Sequence, residues 1–207
     1  MKIEIMSLGP LGTNCYIVYQ DNQALVFDPG GEPEKVKTFL SANQLDPKAI
    51  LLTHGHFDHI GAVDALRKFY EIDVYIHQAE ADWLEDAQKN GSLMFIGETI
   101  QTQKPDQLLT PEKMTLGNFQ FEIIHTPGHS PGSVTFLFHE QLMMISGDVL
   151  FYQGIGRTDL PGGNFEELKQ SIKQKIYTLD KDFDIYPGHG PKTSIANEKK
   201  ANPFIPC

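Results

Sequence analysis

Short segments in which apolar residues alternate with polar ones, or run for a few positions, recur along the chain between turn residues. Alternation with a period of two, and short apolar runs bounded by Gly, Pro, Asn or Asp, are typical of β-strands. The pattern predicts strands over residues 3–6, 15–19, 24–27, 50–52, 74–76, 119–124, 133–138, 142–145 and 183–186.

Apolar residues at helical spacing predict helices between these strands. One helix begins at Pro33, a residue that suits the first helical turn. The next has an apolar face of Ile60, Val63, Leu66 and Phe69. Asn164 and Glu167 match an N-cap and its reciprocal partner, and open a helix with an inward face of Phe165, Leu168, Ile172 and Ile176. Further helices are predicted over 78–87 and 193–200, and 91–111 is interpreted as connecting structure with a short helix.

The order of these elements predicts one domain over residues 1–207. Two halves, each with several strands and flanking helices, indicate an α/β (α+β) fold. We expect a four-layer αββα sandwich, in which two mixed β-sheets pack face to face with the helices outside.

Composition narrows the classes of partner. The 207 residues include 27 acidic residues against 17 Lys and Arg, a net charge of −10, which disfavours nucleic acid as a partner. No apolar stretch approaches the ~20 residues of a membrane span, and residues 1–19 lack the apolar centre of a signal peptide. Cys15 is predicted to be a buried thiol, and order is not expected at Cys207. A cytoplasmic protein without a membrane partner is the simplest hypothesis.

Potential metal ligands are concentrated in residues 53–59, Thr-His-Gly-His-Phe-Asp-His. This segment follows a predicted strand and precedes a helix, where a rigid scaffold presents functional groups. Imidazole and carboxylate are ligands that zinc accepts, and iron or manganese can use them too. The candidate ligands of this segment are His54, His56, Asp58 and His59.

Three other loops each place one ligand-type residue, with a neighbouring glycine, after a predicted strand. These residues are His129, Asp148 and His189. Because clustered His and carboxylate residues are typical of metal sites, we expect all seven to act together. A lone His at a strand end or in a hairpin is more often structural or solvated, which is our interpretation of His77, His125 and His139.

The H-x-H-x-D-H run, followed in order by His129, Asp148 and His189, resembles the metallo-β-lactamase fold superfamily. Within it, the chain is most similar to glyoxalase II-like hydrolases (hydroxyacylglutathione hydrolases), particularly their small single-domain relatives. Residues 126–133, Thr-Pro-Gly-His-Ser-Pro-Gly-Ser, and 156–163, Gly-Arg-Thr-Asp-Leu-Pro-Gly-Gly, carry this closer likeness.

The resemblance implies two divalent metal ions, with zinc favoured and iron or manganese as alternatives. One ion would be bound by His54, His56 and His129, the other by Asp58, His59 and His189, and Asp148 would bridge them. Asp28 would orient a ligand histidine, although a simple turn aspartate is an equal alternative. Asp58 would orient the nucleophile and take its proton, and Arg157 would hold an anionic part of the substrate.

The activity implied is hydrolysis of a small-molecule acyl thioester such as S-lactoylglutathione, by a hydroxide that bridges the two metals. Only 207 − 189 = 18 residues follow His189, so the C-terminal helical domain that helps full-length glyoxalase II hold glutathione is expected to be missing. The identity of the thiol carrier therefore stays open. Lactam hydrolysis is not expected, because no cysteine occupies a ligand position and no signal peptide is expected.

Three alternatives remain. Persulfide dioxygenases resemble the same pattern, share the stretch at residues 156–159, and use one iron, which His54, His129 and Asp148 would bind here. Nucleases of this fold usually add an RNA-binding appendage or a basic surface, which this sequence does not indicate. A non-catalytic binding module is disfavoured by the complete ligand set.

Overall fold

The computed structural model describes residues 1–206, and Cys207 lies outside the described residues. The chain divides into two compact units. The first comprises residues 1–109 and 115–119, and the second comprises residues 110–114 and 120 onward. The single domain expected over residues 1–207 stays a prediction.

The first unit is built on a six-stranded mixed sheet whose strands lie side by side in chain order. The strands are β1 (Lys2–Leu8), β2 (Thr13–Gln20), β3 (Gln23–Phe27), β4 (Asp46–Leu51), β5 (Asp73–His77) and β6 (Gln107–Leu109). Neighbouring strands from β1 to β3 are antiparallel, and those from β3 to β6 are parallel.

Helices of the first unit bury narrow apolar stripes in its core. Val36 and Leu40 of the first helix, and Val63 and Leu66 of the third, are buried with side chains of the sheet. The helices are α1 (Pro33–Ala42), α2 (Phe57–Ile60), α3 (Val63–Tyr70), a 3-10 helix (Gln78–Glu85) and α4 (Ser92–Phe95).

The second unit contains another six-stranded sheet, with the strand order β14-β13-β10-β9-β8-β7. β13 runs parallel to β10, whereas β9 is antiparallel to both β8 and β10, so this sheet is also mixed. Its strands are β7 (Lys113–Leu116), β8 (Phe119–His125), β9 (Val134–Phe138), β10 (Met143–Gly147), β13 (Asp184–Pro187) and β14 (Thr193–Ser194), and a separate hairpin joins β11 (Leu150–Phe151) to β12 (Gly154–Ile155).

Two helical segments complete the second unit. α5 (Phe165–Ser171) continues into a π-helical turn (Ile172–Ile176), and α6 (Ile195–Ala201) follows β14. The Asn164 side chain accepts a hydrogen bond from the Glu167 amide at 3.2 Å, which confirms the predicted N-cap. Leu168, Ile172 and Ile176 are fully buried, as predicted.

The two mixed sheets with their helices confirm the predicted α/β class. Within residues 1–206, no helix is long and apolar enough to cross a membrane. In the first unit, His54 to His59 follow β4; in the second, His129, Asp148 and His189 follow β8, β10 and β13. Each predicted ligand therefore lies just beyond a strand.

Two predicted inward positions are wrong. Phe69 is 63% exposed and Phe165 is 42% exposed. Apolar residues spaced by three drift about 60° per step around a helix, so a face that begins at Ile60 no longer points inward at Phe69. The chain also breaks between α2 and α3, and the Lys37 ammonium lies 4.7 Å from the Phe69 ring centre. Phe165 has the same angular position as Ile172 and Ile176, but it is the first residue of α5 and lies at the exposed end of the apolar face.

Short elements account for the remaining differences. Residues 91–111 contain α4, as predicted, but also the strand β6, which pairs with β5. The hairpin of β11 and β12 was not predicted, because two-residue strands carry no readable period. The segment expected to be a helix over 78–87 is a 3-10 helix that ends at Glu85.

Cys15 is fully buried in β2, as predicted, and this generates a chemical test. Burial, with a smaller contribution from the Asp28 charge, raises the pKa of the Cys15 thiol well above its ordinary value. Because the thiolate is the reactive species, the native protein should leave Cys15 unmodified by iodoacetamide at pH 8. Mass spectrometry of the Cys15 peptide checks this, with protein unfolded in guanidinium as the control. Rapid labelling of the native chain would contradict the assigned burial.

Candidate functional site

Asp28 connects β3 to the segment that follows β4. Its backbone lies in the left-handed region (φ 47°), which Asp tolerates better than most side chains, and its carboxylate is buried. One carboxylate oxygen accepts the Thr53 amide at 2.8 Å. The other accepts the Thr53 hydroxyl at 2.7 Å and lies 3.0 Å from His59 Nδ1. Asp28 therefore holds Thr53, 25 residues away in the sequence, and lies beside His59.

These contacts assign the proton of the His54 imidazole. The Thr53 hydroxyl gives its hydrogen to Asp28, so its oxygen accepts from His54 Nδ1, 3.0 Å away. His59 Nδ1 lies within ion-pair distance of the Asp28 carboxylate, but the geometry is not that of a hydrogen bond. A neutral imidazole with its hydrogen on Nδ1 carries a lone pair on Nε2. His54 can thus act as a ligand through Nε2.

Asp58 is held by a residue that sequence reasoning missed. The Thr13 hydroxyl donates to Asp58 Oδ2 at 2.6 Å, and the same oxygen lies 3.5 Å from His59 Nε2. Two ligands bound at about 2.1 Å to one tetrahedral ion lie ~3.4 Å apart. The Asp58–His59 spacing therefore fits two ligands of a shared divalent ion.

The four ligand-type side chains of residues 54–59 form one buried group. None is more than 6% exposed. The ring centre of His54 lies 4.8 Å from that of His56 and 4.1 Å from that of His59. The Trp83 ring covers His56 at 5.5 Å, and the Gly55 amide donates to Glu80 Oε2 at 2.5 Å.

A close backbone approach explains the Asp-Pro-Gly-Gly sequence at residues 28–31. A Cβ atom at Gly30 would lie 1.8 Å from the Asp58 carbonyl oxygen, so no larger residue fits. The Ala62 amide donates to the Pro29 carbonyl at 2.8 Å. The turn thus packs directly against the backbone of the segment that carries the ligands.

The second unit brings its three candidate ligands together. His129 Nε2 and His189 Nε2 each lie 3.6 Å from Asp148 Oδ2, again the spacing of ligands around one ion. His129 Nδ1 donates to the Arg157 carbonyl at 2.8 Å. Since a carbonyl can only accept, His129 also carries its lone pair on Nε2.

Arg157 contributes to this group through its main chain. A Cβ atom at Gly156 would lie 1.7 Å from the Asp148 carbonyl, so glycine allows the chain to bring the Arg157 carbonyl to His129. The half-exposed guanidinium makes two 2.8 Å hydrogen bonds to the Asp159 carboxylate. The cation expected to hold an anionic substrate group is therefore engaged by a neighbouring anion.

Sequence reasoning missed three residues that support the first group: Thr13, Thr53 and Glu80. Thr53 adjoins His54 and could have been found by its position. Thr13 lies 45 residues from Asp58, and Glu80 lies in an acidic segment that is typical of a solvated helix. Neither position carries a local signal.

His77 and His125 make structural contacts and His139 is partly solvated, as predicted. His77 Nδ1 accepts the Ala79 amide at the start of the 3-10 helix. His125 Nε2 lies 2.8 Å from the Pro131 carbonyl, and the half-exposed His139 pairs with Glu122 at 2.6 Å.

Comparisons with known sequences cover nearly all of the chain. The sequence model described as "Metallo-beta-lactamase superfamily" matches residues 8–189. The "Probable metallo-hydrolase YqgX" of Bacillus subtilis is 47% identical over 206 residues, covering 99% of this chain and 98% of that protein. The "Hydroxyacylglutathione hydrolase GloC" of Haemophilus influenzae is 38% identical over 208 residues, with 99% and 98% covered.

Solved structures of the same fold are also similar to this chain. The BLEG-1 B3 metallo-β-lactamase is 49% identical, with a TM-score of 0.96 and 99% of each chain covered. TTHA1623 in a di-iron-bound form is 37% identical, with a TM-score of 0.85, covering 97% of this chain and 99% of that chain. ETHE1 from Myxococcus xanthus is 27% identical, with a TM-score of 0.78 and coverages of 99% and 84%. These likenesses confirm the predicted fold class.

The Arg157–Asp159 pair generates a pH prediction. The Arg157 hydrogen bonds lower the pKa of Asp159 from an ordinary 3.8 to about 2. Because the folded-state pKa is depressed, any stabilisation by the pair is present above the ordinary Asp pKa and is lost as the pH falls through about 2. NMR titration of the Asp159 carboxyl carbon should report this low pKa, and Arg157→Ala should return it towards 3.8. Equal pKa values in the two proteins would contradict the pairing.

Proposed function

We propose that this chain, which belongs to the metallo-β-lactamase superfamily of metal-dependent hydrolases, cleaves acyl thioesters. The observation that carries the proposal is the proton assignment of the candidate ligands. His54 and His129 both place the hydrogen on Nδ1 and the lone pair on Nε2. Buried imidazoles held in this way are suited to bind a metal.

We assign the seven candidate ligands to two divalent ions. His54, His56 and His129 hold one ion, Asp58, His59 and His189 hold the other, and Asp148 is shared. The match of the superfamily over residues 8–189, which include all seven, supports joining the two groups. Zinc suits these nitrogen and oxygen donors, and iron is the alternative because TTHA1623 is described in a di-iron-bound form. When bound, such ions polarise a carbonyl and make water acidic near neutral pH.

The chain's own residues supply the remaining chemistry. Asp58, oriented by Thr13, positions the attacking water and accepts its proton. A thiolate is a good leaving group because the pKa of a thiol is near 8.5, so a strong general acid is not required. The Arg157 guanidinium binds an anionic group of the substrate in exchange for Asp159.

Thioester hydrolysis is favoured by the similarity to the hydroxyacylglutathione hydrolase GloC, which extends over 99% of this chain. Two alternatives have specific support. The likeness to ETHE1 supports a persulfide dioxygenase with one iron on His54, His129 and Asp148. The likeness to BLEG-1, described as a B3 metallo-β-lactamase, supports lactam hydrolysis.

Metal stoichiometry tests the ligand assignment. Wild-type protein saturated with Zn²⁺ and desalted should contain two ions per chain by elemental analysis. His59→Ala removes a ligand of the second ion and should contain about one. His139→Ala, at an exposed histidine outside both groups, should still contain two. Fully loaded wild-type protein with a single ion would refute the binuclear assignment.

Substrate panels test the reaction. The zinc-loaded and iron-loaded enzymes should hydrolyse S-lactoylglutathione, and His54→Ala should lower kcat/KM by at least about two orders of magnitude, since metal stabilisation is worth several kcal/mol. Oxygen uptake on glutathione persulfide by a one-iron protein would instead establish the dioxygenase. Turnover of a chromogenic cephalosporin without thioester hydrolysis would establish the lactamase.

A further inference from the structure

We propose that Glu80 is a positioning residue for the metal ligands His54 and His56. The inference rests on the proposed function, because it concerns the ion that these two histidines hold. Glu80 lies in the 3-10 helix after β5, in a stretch of sequence that no ligand motif includes. Its position in the fold distinguishes it from the exposed acidic residues around it.

Glu80 is fully buried, which is rare for this residue type unless its carboxyl group is paired. Its Oε2 atom accepts the main-chain amide of Gly55 at 2.5 Å. Gly55 stands between His54 and His56 in the sequence, so this bond holds the peptide that joins the two ligands. A buried hydrogen bond of this kind sets the direction in which both imidazoles leave the backbone.

Glycine at position 55 allows the same close contact. A Cβ atom there would lie 3.2 Å from Glu80 Oε2 and 3.1 Å from Trp83 Cβ. The 3-10 helix therefore packs directly on the backbone of the ligand segment. A larger residue would displace the carboxyl group or the tryptophan.

A second bond from the same region holds the next part of the ligand segment. The Phe57 amide donates to the Asn90 carbonyl at 3.0 Å, and Asn90 is buried and donates to the Trp83 and Ile100 carbonyls. Residues 80–90 thus fix the backbone on both sides of His56. Trp83 also packs on the His56 ring, as described above.

Trp83 also provides a readout that is independent of catalysis. It is the chain's one tryptophan, and its ring centre lies 5.5 Å from that of His56. Binding of an ion by His56 should change Trp83 fluorescence. Titration of chelator-treated protein with Zn²⁺, in competition with a chelating dye, then gives the metal Kd for each variant.

Glu80→Ala removes the acceptor and should raise the Zn²⁺ Kd about 10–100-fold, the usual consequence of losing a group that orients a metal ligand. Glu80→Gln keeps an acceptor oxygen in the same shape and should rescue most of the affinity. If Glu80→Ala does not fold, Gly55→Ala tests the same contact from the other side and should also weaken Zn²⁺ binding. Unchanged Kd values in both alanine variants would overturn the proposal.

Glu198→Ala is the matched control. Glu198 is equally buried and also accepts a main-chain amide, that of Gln153 at 2.9 Å, but it lies in the second unit and on no candidate ligand segment. Its loss should lower thermal stability without changing the Trp83-reported Kd, and an equal rise in Kd would overturn a specific role for Glu80. Wild-type protein that binds Zn²⁺ without hydrolysing thioesters would contradict the proposed function but not the proposed role of Glu80.

Discussion

The cost of burying imidazole and carboxylate groups is the constraint on which the candidate site depends. Such groups are expensive to remove from water unless each polar atom has a partner. Two of the buried histidines meet that requirement through Nδ1. His54 donates to a threonine hydroxyl and His129 donates to a main-chain carbonyl, whereas His59 Nδ1 lies 3.0 Å from the Asp28 carboxylate. The Nε2 atoms of the first two histidines, His54 and His129, are thereby oriented as potential metal ligands.

The second requirement is precision of the backbone, because side chains cannot be placed better than the segments that carry them. Glycine provides it in each unit, where Gly30 lies against the Asp58 carbonyl and Gly156 against the Asp148 carbonyl. At either position a side chain would force the two segments apart. The glycine-rich motifs are therefore determined by packing around the ligands rather than by turn formation alone.

The ligand arrangement and the substrate specificity are separable properties. Proteins described as a hydroxyacylglutathione hydrolase and as a B3 metallo-β-lactamase are both similar to this chain over 99% of its length. Hydrolysis of either bond requires the same polarisation of a carbonyl and the same activated water. The choice between substrates then depends on groups that contact the rest of the molecule. Arg157, already paired with Asp159, offers charge to a substrate only in competition with a built-in anion.

Local pattern determined most of what the sequence revealed. The period of two marked the long strands, and the clustering of His and Asp after strands marked all seven candidate ligands, since both signals lie within a few neighbouring residues. Contacts between distant segments decided the rest: Thr13 reaches Asp58, Glu80 reaches Gly55, and the Arg157 carbonyl reaches His129. These partners lie 45, 25 and 28 residues apart, and no sequence signature marks which distant group a hydroxyl, a carboxyl group or a carbonyl will hydrogen-bond. The candidate ligands could be predicted from the sequence, but the hydrogen bonds that orient them exist only once the chain has folded.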